Sequence, residues 1–352
     1  MAPRERPTVR DVAAVAGVSL TTVSHALNGK GRVDARTRAR VLDAAKRIGY
    51  RANPTARSLR SGRTGILALV LPMIGSDTHR NEALGLGFYI RLAGAAAAAA
   101  AARDHALLLP PPLRQIADVR DLPVDGGIVV DPAANDPILA LFEAVGLPVV
   151  TVERDPARPG ADWFVASDNA GNTRTVLDHL AASGARRIAL LAPQTTAAWV
   201  SETRETYAAW TAEHDREPIV VSVPHERLEG SAYTSTLELL ARPDRPDAVY
   251  AVSEPYATGA LRAVRERGLR VPDDVLLVAG VDSHEASTGD PPITALDLHP
   301  DQQAAVAVEL LVARVAGRHA DVPRTVPGTL SVRRSSRRSG AGPPSELDLA
   351  AR

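Results

Sequence analysis

The chain has 352 residues, enough for two or three domains with a sizeable core, and 45% of them are apolar, which excludes a disordered polymer. It contains no cysteine, so disulfide frameworks and thiolate metal sites are excluded, and no apolar run approaches the roughly 20 residues of a membrane span. The formal charge is zero, yet residues 1–60 hold 13 Lys and Arg against 4 Asp and Glu, so the remainder is acidic; the basic end is either a solvated face or the place where a polyanion binds.

The opening residues, MAPRERPTVR, lack the apolar core of a secretory signal, and a cytoplasmic, soluble protein is expected. Three short helices are then predicted in the first 50 residues. In TVRDVAAVA, Thr8 is placed as N-cap with Asp11 three residues on, a capping-box pattern, and Val12, Ala13 and Ala16 form one apolar side. Gly17 breaks this helix as a residue of positive φ would. Ser19 can cap a second helix running to about Asn28. A third starts near Asp34 and places Val41, Leu42, Ala45 and Ile48 on one face. Helix, glycine turn, helix and supporting helix make a helix-turn-helix.

The second helix, in GVSLTTVSHALN, carries the chemistry. At about 100° per residue, Val23, Ala26 and Leu27 cluster on one side, and Thr21, His25 and Asn28 on the other. His25 is therefore not a core histidine by phase. Leu20 is open: it can pack, or it can touch a thymine methyl. A recognition helix enters the major groove N-terminus first, where Thr, His and Asn can hydrogen-bond base edges.

Residues 51–63, RANPTARSLRSGR, read as a basic linker. Asn53 can cap one short helix with Pro54 at its first position. About six residues do not hold a helix alone in water, so it is expected to order only against a partner.

From residue 64 strands alternate with helices. Strands are predicted at 66–72, 105–110, 127–130, 148–152, 187–192, 219–223, 248–252 and 275–281, the pattern of parallel α/β sheets in two doubly wound halves. The eight alanines at 95–102 fit a tightly packed helix. The tail from 339 reads as disordered. Ligands of open α/β sheets sit at the carboxyl ends of strands. That rule nominates Asp77, Arg80, Asp131, Arg154, Glu254 and Asp282, each of which could equally be a helix cap or an ion-pair partner. An enzyme is the competing class for such a fold, but GxGxxG, GxxxxGK[ST], HExxH and GxSxG are all missing.

Residues 8–65, together with SDNAGNTRTVLDHLAASGARRIALL, RPDAVYAVSE, GALRAVRERGLRVPDDVLLVAGVDS, PPITALDL and LSVRRSS, resemble in order the lactose-repressor (LacI/GalR) family of transcriptional regulators. The TTVSH of the headpiece is most like the purine-repressor branch. The resemblance implies an α/β protein: an all-α helix-turn-helix headpiece (1–50), a hinge (51–63), and a body like a periplasmic binding protein. Its N-terminal subdomain is expected at 64–162 and 291–320, its C-terminal subdomain at 163–290 and 321–338, and the tail at 339–352. It further implies a homodimer on a palindromic double-stranded DNA operator, acting as a repressor. A small polar effector, a sugar by family habit, would bind in the cleft; a nucleoside or another metabolite, or an activating role, is the alternative. No cofactor, metal or membrane enters this expectation.

By position, Leu20, Thr21 and His25 match the family's base-reading residues, and Leu59 its minor-groove wedge, a device that kinks DNA by unstacking a base step. Arg10, Arg36, Arg38, Arg51 and Arg57 are expected on phosphates, which position without specifying. Asp282, in GVD, matches the effector-binding aspartate, and Asp168, in SDN, another family position. Arg204 lies near the sugar-binding arginine without the glycine that normally follows it. Ser253-Glu254 replaces the usual Asn-Asp, and the stretch between LLLP and GGIVV is shorter than in the family.

Overall fold

The computed structural model describes residues 7–27, 31–50, 63–72, 87–224 and 228–338. The hinge up to residue 62, the tail, and the candidates Asn28, Arg51, Asn53, Arg57, Leu59, Asp77 and Arg80 lie outside these stretches. The chain divides into two compact units, Met1–Gly65 and Ile66–Arg352.

The first unit contains α1 (Val9–Ala16), α2 (Leu20–Leu27) and α3 (Ala35–Arg47). Thr8 and Asp11 close the capping box, Thr8 N–H donating to Asp11 Oδ2 at 2.7 Å. Gly17 takes φ 62°, which turns the chain from α1 into α2 without the Cβ penalty another residue would meet. Asp34 caps α3 by accepting from Thr37 N–H at 2.8 Å. Val12, Ala16, Val23, Ala26, Val41, Ala44 and Ala45 form the core. The expected face of α3 needs one correction: Leu42 is 50% exposed, and Ala44 takes the buried position. At about 100° per residue Leu42 lies about a quarter turn from Val41, whereas Ala44 and Ala45 fall on either side of Val41.

The second unit holds two six-stranded sheets among the described residues. The first has the order β11-β5-β4-β3-β1-β2, all parallel: β1 (Ile66–Val70), β2 (Ala106–Leu108), β3 (Gly126–Val130), β4 (Val149–Val152), β5 (Phe164–Ser167) and β11 (Arg324–Val326). The second has the order β12-β10-β9-β8-β6-β7, with only β12 antiparallel: β6 (Ile188–Pro193), β7 (Ile219–Val223), β8 (Ala248–Ala251), β9 (Leu276–Ala279), β10 (Thr294–Asp297) and β12 (Thr329–Ser331). Strands β3, β4, β6, β8 and β9 are buried along their length, as parallel strands covered on both faces must be. The alanine run forms α4 (Gly87–Ala101) and packs against the late helix α12 (Pro300–Val315), with Ala96 and Ala100 fully buried.

The chain passes between the sheets three times, and here the expected boundaries shift. Strand 164–167 belongs to the first sheet, 294–297 to the second and 324–326 to the first, so the crossings fall near 168, 298 and 327 rather than at 163, 291 and 321. These crossing strands are only three or four residues long. They lack the apolar run that marks the other strands, and none of the four, β5, β10, β11 and β12, is among the strands predicted from periodicity.

Candidate nucleic-acid interface and ligand cleft

In the first unit the buried side of α2 is fixed by Val23 and Ala26, and the opposite side carries exposed Thr21 and His25. Ser19 Oγ accepts from Thr22 N–H at 3.1 Å and pairs with Thr22 Oγ1 at 2.9 Å, so Thr22 is tied to the cap while Thr21 is directed outward. Leu20, open on phase alone, is 47% exposed and lies with Arg10 on the rim of one shallow depression at the start of α2. The His25 ring lies against Gly31: a Cβ added there would stand 2.5 Å from Nδ1, and Gly31 itself takes φ 73°. That close approach holds the imidazole on one side while its other side remains exposed. Arg10 and Arg36 are exposed; Arg38 is half-buried, with a buried Nε that has no partner.

In the second unit one cavity is lined from both sheets. Its walls come from the carboxyl ends of strands: Asp131 follows β3, Glu153 follows β4, Ser167 ends β5, Glu254 follows β8 and Asp282 follows β9. This is the crevice where strand order reverses and open α/β sheets bind ligands. Five of the chain's twelve aromatic side chains line it, among them Tyr89, Trp199 and Tyr256, so a ring-shaped ligand would find flat apolar faces.

Asp131 and Glu153 sit at neighbouring strand ends, and both take positive φ, 50° and 71°. Backbone strain of that kind costs about 1–3 kcal/mol per residue and gathers at functional sites. It turns both carboxylates into the crevice. Glu153 is 5% exposed; it accepts from Ser167 N–H at 2.8 Å and from Asn169 Nδ2 at 3.0 Å. Burial nonetheless pushes its carboxyl above the usual range. Tyr89 Oη donates to Asp131 Oδ2 at 2.5 Å. Burial, and then the Glu153 charge, raise the Asp131 carboxyl to about 7 despite that bond. Burial and the nearby Glu285 likewise raise Glu254. Asp282 is held by Arg333 in a two-pronged pair at 2.7 and 2.6 Å, and Arg333 also donates to the Ile293 carbonyl.

The structure therefore brings Asp131, Glu254 and Asp282 together in one cavity. It places three other candidates elsewhere. Arg154 is outside the lining and pairs with Glu202. Asp168 accepts from Gly171 N–H at 3.0 Å as the N-cap of α7 (Asn169–Ala182). Arg204 reaches the carbonyls of Ala192 and Pro193 and the Ser222 hydroxyl, holding the ends of β6 and β7; its neighbour Thr203 lines the cavity instead. Sequence reasoning missed Glu153, the first residue after the strand predicted at 148–152, and nominated Arg154 beside it; the positive φ of Glu153, which re-aims its side chain, is not legible in the sequence. It also missed Asn169, Asn172 and Thr173, whose spacing on the first turns of α7 puts them on one face and was there to be read.

The raised Asp131 carboxyl has a stability consequence. Its folded value of about 7 exceeds the ordinary 3.8, so the folded chain holds one extra proton between those two pH values. The associated stability is present below about pH 4 and is lost as pH rises through 7. Asp131→Asn is expected to be more stable than the parent at pH 8 by about 1–3 kcal/mol, with the gain vanishing near pH 4. Urea denaturation at the two pH values checks this; an equal effect at both refutes it.

Residues 8–53 match the model for bacterial regulatory proteins of the lacI family, and 177–336 that for the periplasmic binding protein-like domain. Over 347 residues, 95% of this chain and all of its relative, the sequence is 32% identical to the HTH-type transcriptional regulator CelR of Thermobifida fusca. The chain belongs to the lacI family. This lacI-family protein is a helix-turn-helix, DNA-binding transcriptional regulator and not an enzyme. Its fold is similar to that of a CelR–cellobiose complex, with TM-score 0.68 at 28% identity over 94% of this chain and all of that one. It is likewise similar to the lac repressor dimer bound to operator and the anti-inducer ONPF, with TM-score 0.75 at 23% identity over 95% and 100%, a likeness of fold alone. The lacI-family body also has no helix, among the described residues, long and apolar enough to cross a membrane.

Proposed function

We propose that this regulator is a cytoplasmic repressor. It binds a palindromic operator as a homodimer and changes its operator affinity when a small polar effector, a sugar, occupies the cleft. One observation carries the reading: Leu20, Thr21 and His25 are exposed at the start and along the outer face of a capped helix whose other side is locked into the core. These residues, with Asn28, read base edges. Arg10 and Arg36, with Arg57 and Asn53 of the hinge, contact the backbone, and Leu59 wedges into the central step. Asp131, Glu254 and Asp282 receive the effector, with Asp77 and Arg80 following β1 in sequence. The similarity to a regulator solved with cellobiose, together with carboxylates among aromatic rings, supports a sugar. Coupling is a two-state rearrangement of the two sheets, and a ligand shifts it only by its differential affinity for the two states.

Selection of bound duplexes from a randomised DNA library tests the DNA side. Enrichment of a two-fold symmetric site is expected, and recovery of no shared sequence refutes it. Leu59→Ala is expected to reduce DNA bending and to weaken specific binding by about 1–3 kcal/mol while effector binding stays intact. Circular-permutation gel shifts beside an operator titration measure both; an unchanged bend angle rejects the wedge.

A further inference from the structure

The chain crosses between the two sheets near 168, 298 and 327, and polar side chains tie these three crossings to one another. Gln303, on the first turn of α12, donates through Nε2 to the Ser167 hydroxyl at 3.1 Å and to the Leu298 carbonyl at 2.7 Å, which joins the first crossing to the second. Asn172, on the first turn of α7, accepts from Gly328 N–H at 2.9 Å, which joins the first to the third. The backbone repeats that link where Asp168 N–H donates to the Val326 carbonyl at 3.3 Å. His299 Nε2 lies 2.9 Å from Thr329 Oγ1, which joins the second to the third.

The chemistry of these links fixes how each amide points. A carbonyl accepts only from a donor, so the Leu298 bond assigns Gln303 Nε2 and leaves Oε1 on the other side. Asn172 is fixed in the same way, because Gly328 N–H requires its Oδ1. Gln303 is 0% exposed, yet its Oε1 has no hydrogen-bond partner among the described residues. His299 takes φ 50° at the head of α12, in the left-handed region that side chains rarely adopt. An unpaired buried acceptor and a left-handed backbone each raise the energy of the arrangement that contains them. Such groups at the joints of two sheets are the mark of an element balanced between arrangements, not of a permanent staple.

We propose that Gln303, Asn172 and His299 are positioning residues that clasp the three crossings and set the balance between relative arrangements of the two sheets, a role that rests on the two-state coupling proposed above. Ser167 and Asn172 also line the cavity, whereas Gln303 and His299 lie outside its lining. A ligand that engages Ser167 or Asn172 therefore acts on the same side chains that hold the crossings. Gln303 bonds to Ser167 and to Leu298 at once, so it carries a change at the end of β5 to the head of α12. Its loss biases the arrangement of the sheets without deleting a contact to anything in the cleft.

The test uses the absence of cysteine from the chain. Arg120→Cys and Arg242→Cys, at exposed positions in the halves built on the first and second sheets, take spin labels in the full-length protein, and double electron–electron resonance reads the distance between them. Gln303→Met keeps the length of the side chain without its amide. It is expected to change the ratio of the arrangements by about five- to tenfold, the weight of one hydrogen bond or slightly more, read as a shifted or second peak in the distance distribution. The operator Kd is expected to change with it. Thr329→Val removes the His299 link at an exposed position and is expected to act in the same way but less strongly, so the test holds even if Gln303→Met does not fold. Distributions of the folded variants that superimpose on the parent's, whatever their melting temperatures, overturn the clasp and leave the cleft and operator readings standing. A shifted distribution at unchanged operator Kd upholds the clasp and counts against the coupling of sheet arrangement to DNA binding.

Discussion

His25→Ala is expected to weaken binding to the selected operator by about 1–3 kcal/mol and to relax the preference at one base pair in each half-site. The side chain sits opposite Val23 and Ala26, so its loss removes nothing from the core, and stability is expected to stay within about 0.5 kcal/mol of the parent. Its ring is braced against Gly31, which limits the rotamers it samples and sharpens the distinction between bases. Arg36→Ala behaves differently: an exposed guanidinium on α3 that meets phosphate lowers affinity for all sequences alike and reduces the salt slope by about one unit. Anisotropy titrations over single-base operator variants at two salt concentrations separate the two. A His25→Ala profile with unchanged base preference rejects the recognition role.

Asp282→Ala is expected to abolish the effector response. Asp282 follows β9, lines the cavity and is held in place by Arg333, which comes from the segment just after β12. The pair thus ties the end of β9 to the segment after β12, past the intervening β10. Removing the carboxylate deletes a ligand contact and leaves a half-buried guanidinium without its acceptor, costing about 1.5–3 kcal/mol of stability. Asp282→Asn keeps one acceptor oxygen, so it is expected to recover part of the stability and little of the response. Calorimetric titration into both variants of a sugar found by thermal-shift screening of the wild type, beside their urea midpoints, is the check. Full ligand affinity in Asp282→Ala would place the pocket's determinants elsewhere.

The elements that sequence showed best are those whose chemistry is local. Thr8–Asp11, Gly17 and Asp34 each act within three residues, and all three behave as their spacing predicts. The buried strands were visible as apolar runs because both faces are covered. What sequence did not show depends on distant contacts. The strands 294–297, 324–326 and 329–331 are strands only because a neighbouring sheet edge receives them. Arg154, Asp168 and Arg204 looked like ligand contacts because they are polar groups near strand ends. Their partners, Glu202, Gly171 N–H and the β6 carbonyls, could not be assigned without the fold. Leu42 is assigned to the buried face by its apolar character, although its phase, about 100° from Val41, puts it at the margin, where it is exposed. The end of β4 is where the apolar run places it, but Glu153 rather than Arg154 faces the cavity, because a left-handed backbone at Glu153 breaks the alternation of the strand.

The central claim is that occupancy of the cleft changes operator affinity. It is tested most directly by titrating the wild-type protein onto the selected operator with and without a saturating concentration of the sugar from that screen. The account predicts a shift in operator Kd of about 5–150-fold, the usual span of an allosteric coupling energy, that disappears in Asp282→Ala. Superimposable isotherms, from a protein whose cleft is shown by calorimetry to be filled, would contradict it.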